Sequence, residues 1–258
     1  MKKLLVVLAA GLLLTGCTTP SASSSPTSTA QDTLTGTVTV FAAASLTETF
    51  GALADAFEQE HPGVTVVFNF GGSSGLATQI VEGAPADVFA AASGATMTTV
   101  TDAALTDGDP TVFVTNTLEI AVPAGNPGAV TGLADFADPD LSIAICAVEV
   151  PCGSASKTVF DAAAIVAAPD TLEQDVKAVL TKVELGEVDA GLVYRTDVLA
   201  AGDSVEGIEF PEASGAVGKY PIARLAASIN KDAATAFIAY VLSPAGMKIL
   251  TDAGFGAP

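Results

Sequence analysis

Hydroxyl side chains set among glycines, or at the starts of helical patterns, are the groups in this sequence best placed to do chemistry. Ser45 closes the stretch "TVTVFAAAS" just ahead of an apolar helical stripe, and with Glu48 it reads as an S-x-x-E capping box. A serine at such a junction has free first-turn amides for neighbours, so one backbone arrangement can cap a helix or hold an anion. The run "GGSSG" at 71–75 lets amides approach an anion closely, although a Gly-Ser turn alone is a weak signal. Pro151 and Gly153 bracket Cys152 where a further helical pattern begins. The chemistry on offer is N–H and O–H donation to a ligand rich in acceptors.

Other chemistries are thinly supplied. The single histidine, His61, lies in the turn-like "EQEHPGV" and reads as solvent-exposed; one histidine excludes multi-histidine metal centres and leaves a Ser-His-Asp triad nowhere else to form. There is no G-x-S-x-G, no G-x-x-x-x-G-K-[ST], and no G-x-G-x-x-G opening the first helix. Neither catalytic residues nor direct metal ligands are therefore expected, and the chain does not read as an enzyme. Cys146 and Cys152, in "CAVEVPC", suit a disulfide if the protein is exported; two buried free thiols are the alternative, and a metal would lack further Cys or His.

Charge narrows the partners. Ten basic residues stand against 29 acidic ones, a formal charge of -19, which repels nucleic acid and anionic membrane surfaces. Between Lys3 and Lys157 there is no Lys or Arg at all, so an anion held by the first half must rest on amides and hydroxyls.

The elements that must position these groups alternate β with α. Strands are expected over 37–42 and 64–70, each followed by a helix, the first carrying Leu46, Phe50, Leu53 and Phe57. "ADVFAAA" closes a βαβαβ arrangement. "TVFVTNTLEIAVPAG" has two apolar stretches around a polar break at 115–117, which suggests a strand passing from one lobe into another. Then come a strand over 141–147, a helix carrying Val159, Phe160, Ala163 and Val166, an amphipathic segment with Val176, Val179, Leu180 and Val183 on one face, and a buried strand in "DAGLVY".

The N-terminus is set apart. "MKK" precedes an apolar run from Leu4 to Leu14, too short to span about 30 Å of hydrocarbon, and "LLTGC" ends at Cys17. This ending resembles the lipobox of bacterial lipoproteins, cleaved before a cysteine that is then lipidated; ordinary signal-peptidase cleavage nearby is the alternative. Residues 18–35 read as a disordered Ser/Thr/Pro tether. Removing Lys2 and Lys3 leaves eight basic residues against 29 acidic, a mature charge of about -21.

From Gly36 to the C-terminus the chain resembles the periplasmic molybdate-binding proteins that serve molybdate ABC importers, within the two-lobed solute-binding proteins. The likeness rests on "TVFAAASLTETF", "FGGSSGLATQIVEGAPADVFAAA", "VPCG", "EQDVKAVL", "GLVYRTDV" and "YPIARLAASINKDAATAFIAYVLSPAGMKIL". It implies an α/β fold of type II, each lobe a mixed sheet flanked by helices, with 36–117 and 219–258 in lobe 1 and 118–218 in lobe 2. It also implies that Ser45, Ser73, the Cys152 and Val176 amides and the Tyr194 hydroxyl bind the oxyanion. Cys152 departs from the family pattern, which often has alanine there. The ligand implied is molybdate or tungstate, with sulfate as the alternative and no cofactor. The partners implied are a membrane permease and a lipid anchor at Cys17 on the outer face of the cell membrane, for a monomer that binds no nucleic acid. Lys157 and Arg195, close in sequence to Cys152 and Tyr194, are expected to stay off the anion. An exported serine hydrolase and a purely adhesive lipoprotein are the competing classes.

Overall fold

The computed structural model describes residues 34–258; the expected signal segment, Cys17 and the expected tether up to residue 33 lie outside the described residues. Strand β1 (Gly36–Ala43) runs through a 3-10 turn (Ala44–Leu46) into α1 (Thr47–Glu60). Next come β2 (Val64–Gly71), α2 (Ser73–Val81), β3 (Val88–Ala90), α3 (Gly94–Asp102) and β4 (Thr111–Asn116). A single residue, Thr117, then separates β4 from β5 (Leu118–Pro123). β6 (Ile143–Cys146), α4 (Pro151–Ala163), β7 (Thr171–Glu173), α5 (Val176–Glu184), β8 (Ala190–Tyr194), α6 (Arg195–Ala201) and β9 (Val205–Ile208) follow. The chain ends in β10 (Gly218–Arg224), α7 (Lys231–Val241) and α8 (Pro244–Asp252).

Two five-stranded sheets result, ordered β2-β1-β3-β10-β4 and β7-β6-β8-β5-β9. They share one plan. Three parallel strands, centred on β1 or β6, are followed by an antiparallel strand that has just crossed from the other sheet. β5 arrives through Thr117 and β10 returns after β9, so the chain crosses between the two lobes twice.

Burial follows the sequence periodicity. Phe50, Leu53 and Phe57 of α1 are wholly buried, and the two phenylalanines meet Phe237 of α7 edge to face, with ring centroids 6.2 Å and 5.4 Å away. Val176, Val179, Leu180 and Val183 of α5 pack on the second sheet, whose strand β8 is buried at all five positions. His61 ends α1 and lies against Phe57 at 4.6 Å.

Two local expectations fail. The helix after Cys152 stops at Ala163, because Ala164 takes a left-handed conformation, and Val166 lies beyond it almost fully exposed. The Ser45–Glu48 capping box does not form: Ser45 sits inside the 3-10 turn, α1 has no side-chain cap, and both residues have partners elsewhere in the chain.

Cys146 and Cys152 are joined by a disulfide with Cα atoms 5.7 Å apart, tying the end of β6 to the first turn of α4. The loop is tight enough that a Cβ on Gly153 would overlap the Ala147 carbonyl and lie 2.6 Å from the Cys146 carbonyl oxygen. Gly153→Ala should therefore destabilise the protein by about 2 kcal/mol or more, since backbone rather than a flexible side chain must yield. An unchanged urea midpoint would show that this turn relaxes freely.

Candidate functional site

The strands deliver the five sequence-selected residues to one place. A small cleft between the lobes is lined by Ser45, Ser73, Cys152, Val176 and Tyr194 together with residues beside them. Each wall segment follows the carboxyl end of a parallel strand: β1, β2 and β3 supply Ser45, Ser73 and Ala92, and β6, β7 and β8 supply Cys152, Val176 and Tyr194. That edge is where open α/β sheets hold ligands, because the loops there are free of ladder bonding.

Donors dominate the walls. α2, α4 and α5 all begin at the cleft, so the first-turn amides of Ser73, Cys152 and Val176 lack intrahelical acceptors, and their helix dipoles favour an anion. The Ser73 hydroxyl accepts the Ala92 N–H at 3.0 Å, while Ser45 Oγ lies 2.9 Å from the Tyr220 hydroxyl. Burial pushes the Tyr194 phenol well above its ordinary range, so it keeps its proton for donation. Among the described residues, no Lys or Arg lines the cleft, and one carboxylate does: Asp175 caps α5 by accepting the Ala178 N–H at 3.0 Å. Asp175, the residue before Val176 in "EQDVKAVL", is not among the residues singled out from the sequence.

The cations have other partners. Lys157 pairs with Asp161 one helical turn away, and Arg195, which opens α6, reaches Glu209 at 3.5 Å. Sequence reasoning also passed over Lys177, although it directly follows Val176. Its ammonium turns away from the cleft to Glu48 of α1 at 2.9 Å and Asp197 of α6 at 3.2 Å, so it ties the lobes together. Two more contacts cross the cleft: Ser74 Oγ donates to the Glu149 carbonyl at 2.6 Å, and Gly72 packs against the Gln174 carbonyl.

Asp197 is fully buried, its second oxygen accepting the Tyr194 N–H at 3.1 Å. Burial pushes its carboxyl up to about 6, against the pull of Lys177 and the Tyr194 amide. For Lys177, desolvation works to lower the pKa, yet Asp197 and Glu48 together hold it above the ordinary value. The cost of burying the pair thus falls on the carboxylate, which has no solvent, rather than on the partly exposed ammonium. A carboxyl raised in the folded state contributes stability that is fully present below its unfolded pKa near 4 and lost as pH rises through about 6. In urea unfolding of the ligand-free protein, the stability of wild type relative to Asp197→Asn should fall by about 3 kcal/mol between about pH 4 and 7. A difference independent of pH would mean that Asp197 does not titrate there.

Comparison with known proteins gives this geometry a context. Residues 38–256 match the family of bacterial extracellular solute-binding proteins. The chain is 43% identical over 253 residues to the molybdate-binding protein ModA of Mycobacterium tuberculosis, covering 98% of this chain and 95% of that protein. Among solved structures, it resembles the substrate binding domain of a putative molybdenum ABC transporter from Clostridium difficile, with 29% identity and a TM-score of 0.64 over 86% of this chain and 99% of that one. The sulfate-binding protein SubI of Mycobacterium tuberculosis shares the fold, with a TM-score of 0.74 and 19% identity over 85% and 86% of the two chains. With nearly every described residue inside the family match, and a relative of such identity covered along almost its whole length, this chain belongs to the bacterial extracellular solute-binding protein family.

Proposed function

We propose that this protein binds molybdate, and tungstate with it, outside the cytoplasm and delivers the ion to an ABC-type importer. The observation that carries the reading is the meeting of Ser45, Ser73, Cys152, Val176 and Tyr194 in one small cleft that, among the described residues, no Lys or Arg lines. A fully deprotonated tetrahedral oxyanion presents only acceptors, and a ring of N–H and O–H donors matches it in a water-excluding site. The 43% identity to a named molybdate-binding protein supports molybdate over sulfate, to which the likeness is one of fold alone. We take lobe 1 as 36–117 with 219–258 and lobe 2 as 118–218. Export and lipidation at Cys17 would hold the protein, as a monomer, at the outer face of the membrane beside its permease.

Calorimetric titration of ligand-free protein with molybdate, tungstate, sulfate and phosphate tests this directly. Molybdate and tungstate should bind most tightly, and a preference for sulfate would replace the reading with its alternative. Tyr194→Phe removes one charge-assisted donor worth about 1.5–3 kcal/mol, so molybdate affinity should drop roughly 10- to 100-fold with the fold intact. Lys157→Ala and Arg195→Ala should each cost less than that at about 0.15 M salt, and less still as salt rises. A large, salt-insensitive loss from either cation variant would instead mean direct charge pairing.

Closure gives an independent test. Gly72 has an ordinary φ of -61°, so it needs to be glycine only for space, and any Cβ there overlaps the Gln174 carbonyl of the opposite lobe. Gly72→Ala should therefore keep the thermal stability of both lobes while weakening molybdate at least tenfold, on the order of 1.4 kcal/mol. Wild-type affinity in a folded Gly72→Ala protein would mean that the ligand does not need this approach.

A further inference from the structure

Ser73 shows how a hydroxyl is prepared for a ligand that only accepts hydrogen bonds. Its oxygen is occupied by the Ala92 N–H at 3.0 Å, which leaves its single proton for the cleft. Ser45 has no such amide. Its partner is the Tyr220 hydroxyl at 2.9 Å, and a pair of hydroxyls can bond in either direction. Were Ser45 the donor, its proton would point away from the cleft and a lone pair would face the anion.

The neighbours of Tyr220 decide the direction. The Thr117 N–H, a donor only, lies 3.0 Å from the Asn116 side-chain oxygen and so fixes that amide's orientation. The Asn116 NH2 group must then face Thr196 Oγ1 at 2.8 Å and the Tyr220 oxygen at 3.5 Å. An amide nitrogen accepts nothing, so the Tyr220 proton has no destination there. Burial pushes the Tyr220 phenol above its ordinary value, so that proton stays on. Tyr194, the other hydroxyl beside Tyr220, acts on it as a donor does, drawing the Tyr220 phenol down while its own goes up; that leaves Ser45 Oγ, at 2.9 Å, as the acceptor this geometry offers.

We infer that Tyr220 is a positioning and specificity-determining residue: it donates to Ser45, turns the Ser45 proton into the cleft, and so makes that wall donor-only. The inference deepens the oxyanion reading and rests on it. Tyr220 does not line the cleft, and sits wholly buried behind Ser45 on β10. The chemical consequence is discrimination by protonation. An oxyanion without protons gains the Ser45 donor in full, whereas hydrogen phosphate brings a proton that needs an acceptor. Asp175 is the carboxylate at the cleft; it is untouched by a change at Tyr220, so its effect cancels when ligands are compared between variants.

The test is a double-mutant cycle. Molybdate and hydrogen phosphate are titrated calorimetrically, phosphate by competition where it is weak, into wild type, Tyr220→Phe, Ser45→Ala and the double variant. Tyr220→Phe should lose about tenfold in molybdate affinity and roughly twofold or less for phosphate, narrowing the selectivity ratio. In the Ser45→Ala background the same change should cost roughly twofold or less, because its effect runs through Ser45. Equal losses in both backgrounds, an unchanged ratio, or coupling to Tyr194→Phe in place of Ser45→Ala would each overturn the inference while leaving the proposed function standing. A wild-type protein that binds no molybdate overturns the function, and the inference with it. Asn116 Nδ2 keeps its 2.8 Å bond to Thr196 when the phenol is removed, so Tyr220→Phe should fold. If it does not, Asn116→Ala, which releases the Tyr220 proton from its fixed direction, takes its place in the cycle under the same criteria.

Discussion

Everything at the cleft depends on how closely Gly72 approaches the Gln174 carbonyl. That contact joins the loop after β2 to the loop after β7, and it brings the first-turn amides of α2 and α5 into one small space. On one side Ser74 donates to Glu149, and on the other Lys177 bridges to Glu48. Neither sheet alone offers a closed ring of donors, since Ser45 and Ser73 belong to the first and Cys152, Val176 and Tyr194 to the second. A ligand touching both sets favours the approached arrangement by its extra contacts there, and by no more than those contacts supply.

The electrostatic arrangement follows from the same division. A chain of formal charge -19 cannot attract an anion by its overall field, so attraction must be local and come from fixed dipoles. Helix N-termini and hydroxyls already aimed at the cleft need little reorganisation to replace water around an ion. Lys177, the lysine that follows Val176 of the cleft wall, is matched by two carboxylates, Glu48 and Asp197. Its contribution is mechanical. It fastens α5 to α1 and α6, and the buried Asp197 carries the desolvation cost of that fastening.

Much of this was legible in the sequence where local periodicity governs. The alternation of strands and helices, the apolar faces of α1 and α5, and the first crossing suggested by the polar break near Thr117 are all patterns over a few residues, whereas the second crossing was implied by the family resemblance. The cleft residues themselves were reached through family motifs, and of these only Ser45, the Gly-Ser run and the turn at Cys152 also carry a local signal. Part of what failed or was missed depends on distant partners, and part on a local turn. Ser45 and Glu48 have the spacing of a capping box, yet Tyr220, 175 residues away, takes the serine, and Lys177 takes the glutamate. Val166 fits the helical stripe of α4, but the chain turns left-handed at Ala164 first. No pattern in "YPIA" announces that its tyrosine stands behind Ser45.

The two crossings explain why these long-range partners matter. Asn116 ends β4 just before the first crossing, Thr117 is the crossing itself, and Tyr220 lies near the start of β10 just after the second. Thr196, the other partner of the Asn116 amide, opens the helix after Tyr194 on the far lobe. The hydrogen-bond chain from Thr117 through Asn116 and Tyr220 to Ser45 therefore runs through the very segments about which the lobes must turn. Rotation there that separated Asn116 from Thr196 would leave the Asn116 amide held by the Thr117 N–H alone. The hydrogen bonds behind the inferred direction of the Ser45 proton thus share the crossing segments through which any movement between the lobes must pass.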